Sequence, residues 1–248
     1  MRTIYEPKGR AREYAELAVN LFETCQMGCE YCYAPKVLHK KPEEFHAATK
    51  PRRDIIQKIS ADARQLSENK DKREILLCFT CDPYQSDLQS NKLVTRMAVQ
   101  TLLASNLNIS ILTKGGNKSL ADLCLLSIFK DQVRYGATLV FACDRDSRMY
   151  EPHAAPTGER IRALKTVHDK GIRTWVSLEP AWSIPDALKI IDKTHTFTDT
   201  YKIGKLNYHP HSKEVNWADY LIQVTSRLQE LNKSYYVKED LRRYAKPL

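Results

Sequence analysis

The apolar residues of this chain fall into short runs that alternate with longer segments in which apolar positions recur every three or four residues. Short runs of apolar and β-branched residues predict strands, and the longer period predicts amphipathic helices. Six strands are predicted, over residues 15–22, 74–79, 109–113, 136–142, 174–178 and 200–203. Helices are predicted after them, over residues 52–69, 93–105, 120–128, 158–170, 184–193 and 217–231.

The helix predicted over residues 158–170 has the clearest ends. Thr157 stands where an N-cap is expected, and Gly171 follows the last helical residue, as a glycine with a left-handed backbone commonly does. In the tail, residues 234–237 predict an additional strand, and a short final helix is predicted to end at Tyr244.

Strands that alternate with helices predict a parallel sheet with right-handed crossovers, and hence an α/β fold. Six such units are two fewer than a full eight-fold barrel has, so we expect a partial (β/α)6 barrel that stays open on one side. No linker rich in Pro, Gly or Ser and no internal repeat divides the chain, which predicts a single domain over residues 1–248. Its core is expected to span about residues 15–207, followed by a C-terminal helical extension over residues 208–248. Ligands of such folds bind at the carboxyl ends of the strands.

Three cysteines, Cys25, Cys29 and Cys32, follow the first predicted strand within one stretch of eight residues. Their C-x3-C-x2-C spacing puts three thiolates on one loop at the carboxyl end of the sheet, where they can hold a single inorganic centre. Thiolate-rich sites select iron–sulfur clusters or zinc. A four-iron cluster held by three cysteines keeps one iron free for a ligand that is not protein.

Two other interpretations of the cysteines stay open. A structural zinc ion closes its shell at four ligands, and His39 or His46 would be the fourth here, although no second C-x2-C unit completes a zinc pattern. A disulfide fits less well, because the chain begins without the apolar segment of a secretory signal. Seven cysteines without an export signal indicate the cytoplasm and thiols that serve as ligands or reactants.

The composition is that of a globular protein, with 42% hydrophobic and 28% charged residues. No apolar stretch approaches the length of a membrane span, so no membrane partner is expected. The formal net charge of +9 favours a polyanionic partner, and basic residues are dense just after the cysteine loop and in the tail. A solvated basic surface without a partner explains the charge equally well.

Alternation along each strand sorts the side chains that reach the carboxyl ends. In the third strand, Ser110 and Lys114 share the polar face, which is expected to look into the barrel and to place Lys114 at its mouth. A cation there suits a carboxylate or a phosphate, and an ordinary lysine at a strand end is the alternative. In the fifth strand, Trp175, Ser177 and Glu179 share a face, so Glu179 is placed to meet a cation or a ribose hydroxyl.

Three further cysteines are predicted near the same edge of the sheet. Cys78 and Cys81 flank the end of the second strand, and Cys143 ends the fourth. A thiol readily donates a hydrogen atom to a carbon radical, so each of them is a candidate catalytic residue. The alternative is passive packing, since a free cysteine behaves as a small hydrophobic side chain.

The cysteine motif, with an aromatic residue just before its last cysteine, resembles the signature of the radical S-adenosylmethionine (SAM) enzymes. Other segments resemble the spore photoproduct lyase-like branch of that family, in the same order, between about residues 16 and 180. They are Asn20-Leu21-Phe22, Cys29-Glu30-Tyr31-Cys32-Tyr33-Ala34, Asp82-Pro83-Tyr84-Gln85, Thr113-Lys114, Glu151-Pro152 with Arg160, and Gly171-Ile172. The resemblance implies a [4Fe-4S] cluster on the three motif cysteines, with SAM chelated at the open iron. It also implies that an electron, supplied by a donor such as flavodoxin or ferredoxin, cleaves SAM to a 5′-deoxyadenosyl radical.

Carried over by position, the resemblance also implies which residues contact SAM. Tyr31 would lie against the adenine, Lys114 would hold the carboxylate and Thr138 would contact the ribose. Thr80 and Ser177 complete the expected set of SAM contacts.

The resemblance extends to catalytic residues. Tyr33 resembles the tyrosine that relays a hydrogen atom in the lyases, and Glu179 and the three additional thiols complete the candidate set. The lyases carry a donor cysteine near the end of the second strand, whereas this chain has Phe79 there, between Cys78 and Cys81. This departure argues against repair of the spore photoproduct itself and leaves radical initiation unaffected.

Together, the resemblance and the basic clusters predict a radical SAM enzyme of the lyase or transferase type that modifies or repairs a base in a nucleic acid or nucleotide. Lys40, Lys41, Lys202 and Lys205 are expected to meet substrate phosphates. Two alternatives stay open. One is a radical SAM enzyme that acts on a small metabolite or peptide, and the other is a zinc-stabilised binding module without catalytic activity.

Overall fold

A computed structural model describes residues 2–245 of the chain. Within that range, seven strands form one parallel sheet in which each strand pairs with the next one along the chain. The strands are β1 (Leu17–Val19), β2 (Glu74–Leu77), β3 (Asn108–Thr113), β4 (Val133–Thr138), β5 (Arg173–Leu178), β6 (Thr200–Ile203) and β7 (Ser234–Val237). Because β1 and β7 are the two edges of this sheet, the architecture is an α/β partial barrel that does not close, as the sequence predicts.

Helices connect the strands and cover the outer face of the sheet. They are α1 (Ala34–Val37), α2 (Pro42–His46), α3 (Ile55–Glu68), α4 (Gln89–Ala104), α5 (Leu123–Ile128), α6 (Asp144–Tyr150), α7 (Thr157–His168), α8 (Ile184–Thr194), α9 (Trp217–Glu230) and α10 (Glu239–Arg242). Short 3-10 turns adjoin several of them, including Gly9–Glu13 before β1 and Gly116–Asp122 before α5. Between residues 2 and 245, no helix combines the length and the apolar character that crossing a membrane requires.

The largest correction concerns the fourth strand, which is predicted over residues 136–142 and found over Val133–Thr138. The Leu139 amide still donates to the Ser177 carbonyl at 3.0 Å, and the chain then leaves the sheet. The Phe141 ring stacks on Tyr150, with 5.0 Å between the ring centroids. The apolar run past Thr138 is therefore a buried loop, and an apolar run alone does not distinguish such a loop from a buried strand.

The predicted ends of the next helix are partly right. Thr157 is the first residue of α7 rather than its N-cap, and its hydroxyl donates to the Phe141 carbonyl at 2.8 Å. Gly171 has a φ of +75°, as expected of a glycine that follows a helix. The additional strand predicted over residues 234–237 is present as β7, so the segment after residue 208 contributes to the sheet as well as adding helices.

Two apolar layers stabilise the sheet. The larger one lies between the outer face of the sheet and the helices. The smaller one lies inside the barrel and consists of Ala15, Ala18, Leu76 and Trp175, with Leu112 packed against them. Because successive side chains of a strand face opposite ways, this inner layer identifies the residues that look into the barrel.

Residues 5–14, which we call the N-terminal strap, connect the two edges of the open sheet. Tyr5 forms an antiparallel bridge with Ala18 of β1, in which both N···O distances are 2.9 Å. At the other end of the strap, Glu13 Oε1 accepts a hydrogen bond of 3.0 Å from the Tyr236 hydroxyl of β7. The strap therefore spans the open side of the barrel without extending the sheet by a strand.

We predict that Gly136→Ala destabilises the fold. Gly136 of β4 lies opposite Trp175 of β5, and a Cβ on Gly136 would lie 2.3 Å from Trp175 Cε2. Since Trp175 is fully buried, the indole has no room to move, and overpacking should lower the free energy of unfolding by about 1–3 kcal/mol. Equilibrium urea denaturation measures the loss. The control is Gly158→Ala in α7, which is expected to stay within about 1 kcal/mol of the parent. Equal losses in the two variants would contradict this account.

Candidate active site

The carboxyl ends of the strands surround a cavity of about 400 Å³. Cys25, Cys29 and Cys32 all line it, the first two buried and the third partly buried. Lys114 and Glu179 reach the same cavity from the ends of β3 and β5. The structure therefore brings the cysteine loop and these two strand-end residues together, as their positions in a parallel sheet led us to expect.

The cysteine loop is held by backbone hydrogen bonds to two other segments. The Cys25 amide donates to the Phe45 carbonyl at 3.1 Å, and the His153 amide donates to the Met27 carbonyl at 3.2 Å. Gly28 has a φ of +66°, and a Cβ there would lie 3.1 Å from the His153 ring. The loop thus requires glycine at this position, both for the left-handed backbone and for the close approach of residue 153.

Gln85 fastens the cysteine loop to the segment that follows β2. Its fully buried side chain accepts a hydrogen bond from the Gln26 amide at 2.6 Å and donates one to the Thr24 carbonyl at 3.1 Å. The Gln26 side chain donates in return to the Gln85 carbonyl at 3.0 Å. Breaking any of these bonds would leave a desolvated polar group, so the loop beside Cys25 is confined to one conformation.

Asp82 holds the backbone at Lys114 in place, as Gln85 holds the cysteine loop. Its Oδ1 accepts hydrogen bonds from the Thr113 hydroxyl at 2.7 Å and from the Tyr84 amide at 2.8 Å. Its Oδ2 accepts one from the Lys114 amide at 2.6 Å. Burial raises the pKa of Asp82, and these hydrogen bonds oppose the shift. The carboxylate therefore fixes the backbone from which Lys114 extends into the cavity.

Tyr31 is held by a buried ion pair. Arg160 Nη2 lies 2.6 Å from Glu151 Oε2, and both side chains are at most 1% exposed. The Tyr31 hydroxyl donates to the other carboxylate oxygen of Glu151. Arg160 also donates to the Thr138 carbonyl at 3.1 Å and to the Ala155 carbonyl at 2.6 Å. This network links the end of β4 to the cysteine loop and fixes the Tyr31 ring at the cavity wall.

Burial dominates the electrostatics of the cysteine loop. It raises the pKa of the Cys29 thiol to about 12 and that of Cys25 well above its ordinary value. Metal ligation requires thiolates, so a bound metal centre would displace protons from these groups. Burial also opposes the charge of Lys114, but the Cys29 sulfur and the Glu151 carboxylate outweigh it and raise the pKa of Lys114. The Lys114 ammonium lies 5.7 Å from the centroid of the Tyr31 ring.

Four of the five residues that the sequence assigns to SAM line this cavity, namely Tyr31, Thr80, Lys114 and Thr138. The fifth, Ser177, is fully buried away from it, and its hydroxyl pairs with the Tyr14 hydroxyl at 3.2 Å. The alternation along β5 is right, but the strap inserts Tyr14 between Ser177 and the cavity. Ser177 therefore supports Tyr14 and does not line the cavity.

A second polar group in the cavity is centred on Glu179. Lys238 Nζ lies 2.8 Å from Glu179 Oε2, and the Tyr14 hydroxyl donates to the same oxygen. Burial and the neighbouring carboxylate raise the pKa of Tyr14 well above its ordinary value, so the phenol stays protonated. Gly204 leaves room for the group, because a Cβ there would lie 2.5 Å from the Glu179 carboxyl carbon. Glu179 thus forms an ion pair with a cation, as its position predicts, and that cation is Lys238 from the segment after β7.

Cys78 and Cys81 line the cavity on either side of Phe79 in the sequence, and Phe79 lines it as well. Cys78 has a φ of +65°, which is uncommon for a residue other than glycine, and burial raises its pKa. Cys81 Sγ lies 3.6 Å from the Phe22 carbonyl oxygen. The Tyr33 hydroxyl donates to the Phe79 carbonyl at 2.8 Å. The thiols of Cys78 and Cys81 and the phenol of Tyr33, which carry transferable hydrogen atoms, thus line the same cavity.

Cys143 lies elsewhere. Because β4 ends at Thr138, Cys143 stands exposed at the start of α6, where its Sγ is 3.1 Å from Asp146 Oδ2. The expectation that Cys143 ends the fourth strand at the mouth of the barrel is therefore wrong, and this thiol does not line the cavity.

Of the four lysines expected to meet substrate phosphates, Lys205 alone lines the cavity. Lys40 and Lys41 are exposed and do not reach it, and Lys40 Nζ instead donates to a backbone carbonyl at 3.0 Å. Lys202 is buried inside the barrel, where its Nζ donates to the Tyr14 carbonyl at 2.6 Å. Burial lowers the pKa of Lys202 to about 8. Its place is beneath the strap, so Lys202 is not accessible to a substrate.

Sequence reasoning missed the cavity residues that lie outside the strand–helix units. Lys8, Arg10 and Tyr14 come from the strap, Tyr208 from the loop after β6, and Lys238 from the segment after β7. Hydrophobic periodicity does not place any of them. The one usable signal is that basic and aromatic residues are dense in segments that have no strand or helix pattern.

We predict that Glu151→Gln destabilises the protein strongly, because it leaves the Arg160 guanidinium buried without a counter-charge. Removing one partner of a buried ion pair costs about 3–5 kcal/mol. Equilibrium urea denaturation of parent and variant measures the difference. The matched control is Glu239→Gln, whose ion pair with Arg243 is exposed and whose loss should change the free energy of unfolding by less than about 1 kcal/mol. Similar changes in both variants would show that the buried pair has no special role.

Comparison with known proteins adds information on the fold. No protein-family model matches the chain. The uncharacterized protein MJ0683 of Methanocaldococcus jannaschii is 28% identical over 197 residues, which cover 78% of this chain and 71% of that protein.

Solved structures share the architecture at low sequence identity. A mutant of spore photoproduct lyase with bound AdoMet and dinucleoside spore photoproduct has a TM-score of 0.70 and 14% identity, over 94% of this chain and 78% of the lyase. SuiB of Streptococcus suis bound to S-adenosylmethionine has a TM-score of 0.68 and 10% identity, over 91% of this chain and 51% of SuiB. The chain thus spans about half the length of SuiB. Both neighbours are radical SAM enzymes, and the chain has the fold of the radical SAM enzymes in a form that resembles spore photoproduct lyase.

Proposed function

We propose that this chain is a radical SAM enzyme, which binds a [4Fe-4S] cluster through Cys25, Cys29 and Cys32 and binds SAM at the remaining iron. The observation that carries the proposal is that three thiols of one loop line a cavity at the carboxyl ends of a parallel sheet. When bound, the cluster and SAM would supply an electron and a carbon radical. The residues of the chain bind and orient the reactants and exclude water.

The donor set fits such a cluster. Thiolates are the usual ligands of iron–sulfur clusters, and the three motif cysteines leave one coordination position for SAM. Within residues 2–245, no group of three His, Cys, Asp or Glu side chains is arranged around a single metal ion. That finding concerns one ion. In a four-iron cluster each cysteine binds a different iron, so the ligands lie farther apart than those of a single ion.

The alternative of a zinc site lacks a fourth ligand among the two histidines considered. His39 is exposed and does not line the cavity. His46 does not line the cavity either, and its Nδ1 lies 2.7 Å from the Cys25 carbonyl oxygen. Both placements favour the cluster over a zinc-stabilised module.

SAM is proposed to lie between the cysteine loop and the end of β3. Lys114 would hold the SAM carboxylate, because it is a buried cation whose backbone Asp82 fixes in place. Tyr31 would pack against the adenine, since the Glu151–Arg160 pair holds its hydroxyl and leaves the ring at the cavity wall. The hydroxyls of Thr80 and Thr138 complete the polar contacts.

The candidates for hydrogen-atom transfer are three of the groups in the cavity that carry a transferable hydrogen atom. Tyr33, Cys78 and Cys81 are proposed to donate or relay a hydrogen atom, and the bond from Tyr33 to the Phe79 carbonyl orients the phenol. Glu179 is proposed to orient the substrate, because its ion pair with Lys238 holds a charged carboxylate at the cavity wall. The exposed thiol of Cys143 has no part in this proposal.

The substrate is proposed to be a base of a nucleic acid or a nucleotide. The match to spore photoproduct lyase supports this, because a structure of that enzyme contains a dinucleoside spore photoproduct and the chain covers 78% of the lyase. A peptide or small metabolite is the second candidate. A structure of SuiB contains its precursor peptide SuiA, but the chain covers only 49% of SuiB. A cytoplasmic location and an electron donor of the flavodoxin or ferredoxin type belong to the same proposal, because the cluster has to be reduced.

The cluster assignment predicts that Cys25→Ala/Cys29→Ala/Cys32→Ala loses its iron. After anaerobic reconstitution, the parent should contain about four iron atoms and four sulfides per chain with visible absorption, and the triple variant almost none. The control Cys124→Ala/Cys143→Ala removes two exposed thiols and should bind iron like the parent. A parent protein that retains one tetrahedral zinc ion instead of iron would overturn the proposal.

The SAM assignment predicts that Lys114→Ala binds SAM more weakly, by about 1.5–3 kcal/mol, because the variant cannot form a charged hydrogen bond with the ligand. Isothermal titration calorimetry on anaerobically reconstituted protein measures the affinity. Lys118→Ala is the matched control, since Lys118 pairs with Asp87 at 2.8 Å and does not line the cavity. Equal SAM affinity in the parent and Lys114→Ala would contradict the assignment.

A further inference from the structure

The cavity opens to solvent between three segments that are far apart in the sequence. The strap contributes Lys8 and Arg10, the loop after β6 contributes Lys205 and Tyr208, and α1 contributes Val37. We call Lys8, Arg10, Lys205 and Tyr208 the cavity mouth. It is distinct from the cysteine loop and from the SAM contacts proposed above.

Tyr208 is an unusual residue at this mouth. Its side chain is 58% exposed although it is aromatic, and its φ of +64° is rarely adopted by residues other than glycine. Arg10 Nη2 donates to its hydroxyl at 3.2 Å, and Lys36 Nζ lies 4.7 Å from its ring centroid. The backbone turn and the bond to Arg10 thus hold an exposed ring beside two cations.

Among the described residues 2–245, acidic side chains balance the positive charge of the mouth only in part. The described residues that line the whole cavity include five cations and two carboxylates, and both carboxylates have other partners. Glu179 is paired with Lys238, and Asp82 accepts hydrogen bonds from the Thr113 hydroxyl and the Lys114 amide. Arg10 is paired with Asp240, and Lys205 Nζ donates to the Tyr244 hydroxyl at 2.7 Å. No acidic side chain within residues 2–245 forms an ion pair with Lys8, Lys36 or Lys205.

An exposed aromatic ring with several cations close to it is an arrangement with which proteins bind single-stranded nucleic acid, through base stacking and phosphate contacts. We propose that the cavity mouth binds a single-stranded segment of nucleic acid, with one base stacked on Tyr208 and phosphates on Lys8, Arg10 and Lys205. The neighbouring base then enters the cavity. This inference rests on the proposed function and identifies the substrate surface as the mouth, in place of Lys40 and Lys41.

A single strand is favoured over a duplex by the shape of the site. The reacting atom has to enter a cavity of about 400 Å³ behind the mouth, and a base inside a duplex cannot do so without leaving the stack. A strand that is already unpaired avoids the energetic cost of that step. The phosphate contacts then supply affinity and position, and the cavity behind them selects the base.

The test is equilibrium binding of a fluorescein-labelled single strand of about 12 nucleotides to anaerobically reconstituted protein, followed by fluorescence anisotropy over a series of salt concentrations. DNA and RNA strands of the same sequence are compared in parallel arms. Lys8→Ala/Lys205→Ala should lower the affinity at least tenfold. The slope of log affinity against log salt should fall by about 1.4, because each of the two phosphates that the variant no longer neutralises accounts for about 0.7. Lys40→Ala/Lys41→Ala removes the same charge away from the mouth and should match the parent.

The stacking interaction is tested separately. Tyr208→Asn removes the ring with a residue that tolerates the left-handed backbone, and it should lower the affinity about tenfold with an unchanged salt slope. Tyr208→Phe keeps the ring and should retain most of the affinity. Circular dichroism and thermal unfolding of each variant confirm that it is folded.

Several results would overturn the inference. One is an equal decrease in affinity in Lys8→Ala/Lys205→Ala and in Lys40→Ala/Lys41→Ala. Another is an affinity of Tyr208→Asn equal to that of the parent. A third is displacement of the labelled strand by polyglutamate as readily as by the unlabelled strand. The proposed function fails by a different measurement, namely the absence of iron and of SAM binding in the parent. A parent that binds iron and SAM but no single strand would refute the mouth assignment alone.

Discussion

An open parallel sheet exposes two unpaired edges, and the way in which this chain covers them shapes its whole cavity. The strap bonds to β1 through Tyr5 and to β7 through Glu13, so it spans the side that a closed barrel would fill with further strands. Lys202 supports the strap from inside by donating to its backbone carbonyls, and for this reason its amine is buried. Tyr14 then lies in the barrel, and Lys8 and Arg10 stand at the mouth. The segment that covers the edges of the sheet therefore also forms one wall of the cavity.

The cysteine side of the cavity depends on buried polar groups that are satisfied by several partners at once. Asp82 accepts hydrogen bonds from the end of β3, Gln85 bonds to the cysteine loop, and Arg160 links Glu151 to the end of β4. Because each group loses solvation, removing one partner costs more than a single exposed hydrogen bond would. Such networks confine the loop to one geometry. That rigidity is what a reaction requiring close orientation of its reactants needs.

Solved structures with the same fold contain different bound molecules. Spore photoproduct lyase and SuiB share the fold with this chain, yet structures of the first contain a dinucleoside and structures of the second a peptide. A common fold therefore does not decide the substrate, which depends on the residues that surround the entrance. In this chain the strap, the loop after β6 and Val37 of α1 surround the entrance. The strap and that loop do not belong to the repeated strand–helix units.

The sequence by itself determined the fold class, the order of the strands and the cysteine loop, because hydrophobic period and cysteine spacing are local properties of the chain. It also placed Lys114 and Glu179 correctly, since alternation along a strand decides which side chains look into a barrel. The position predicted for Cys143 was wrong because an apolar run looks the same in a strand and in a buried loop. The positions predicted for Ser177 and Lys202 were wrong because the strap that covers them has no periodic pattern. Only the tertiary structure decided what covers the open side of the barrel and what surrounds the cavity mouth. The contacts responsible, such as that between Arg10 and Tyr208, join residues 198 positions apart, and no local pattern encodes them.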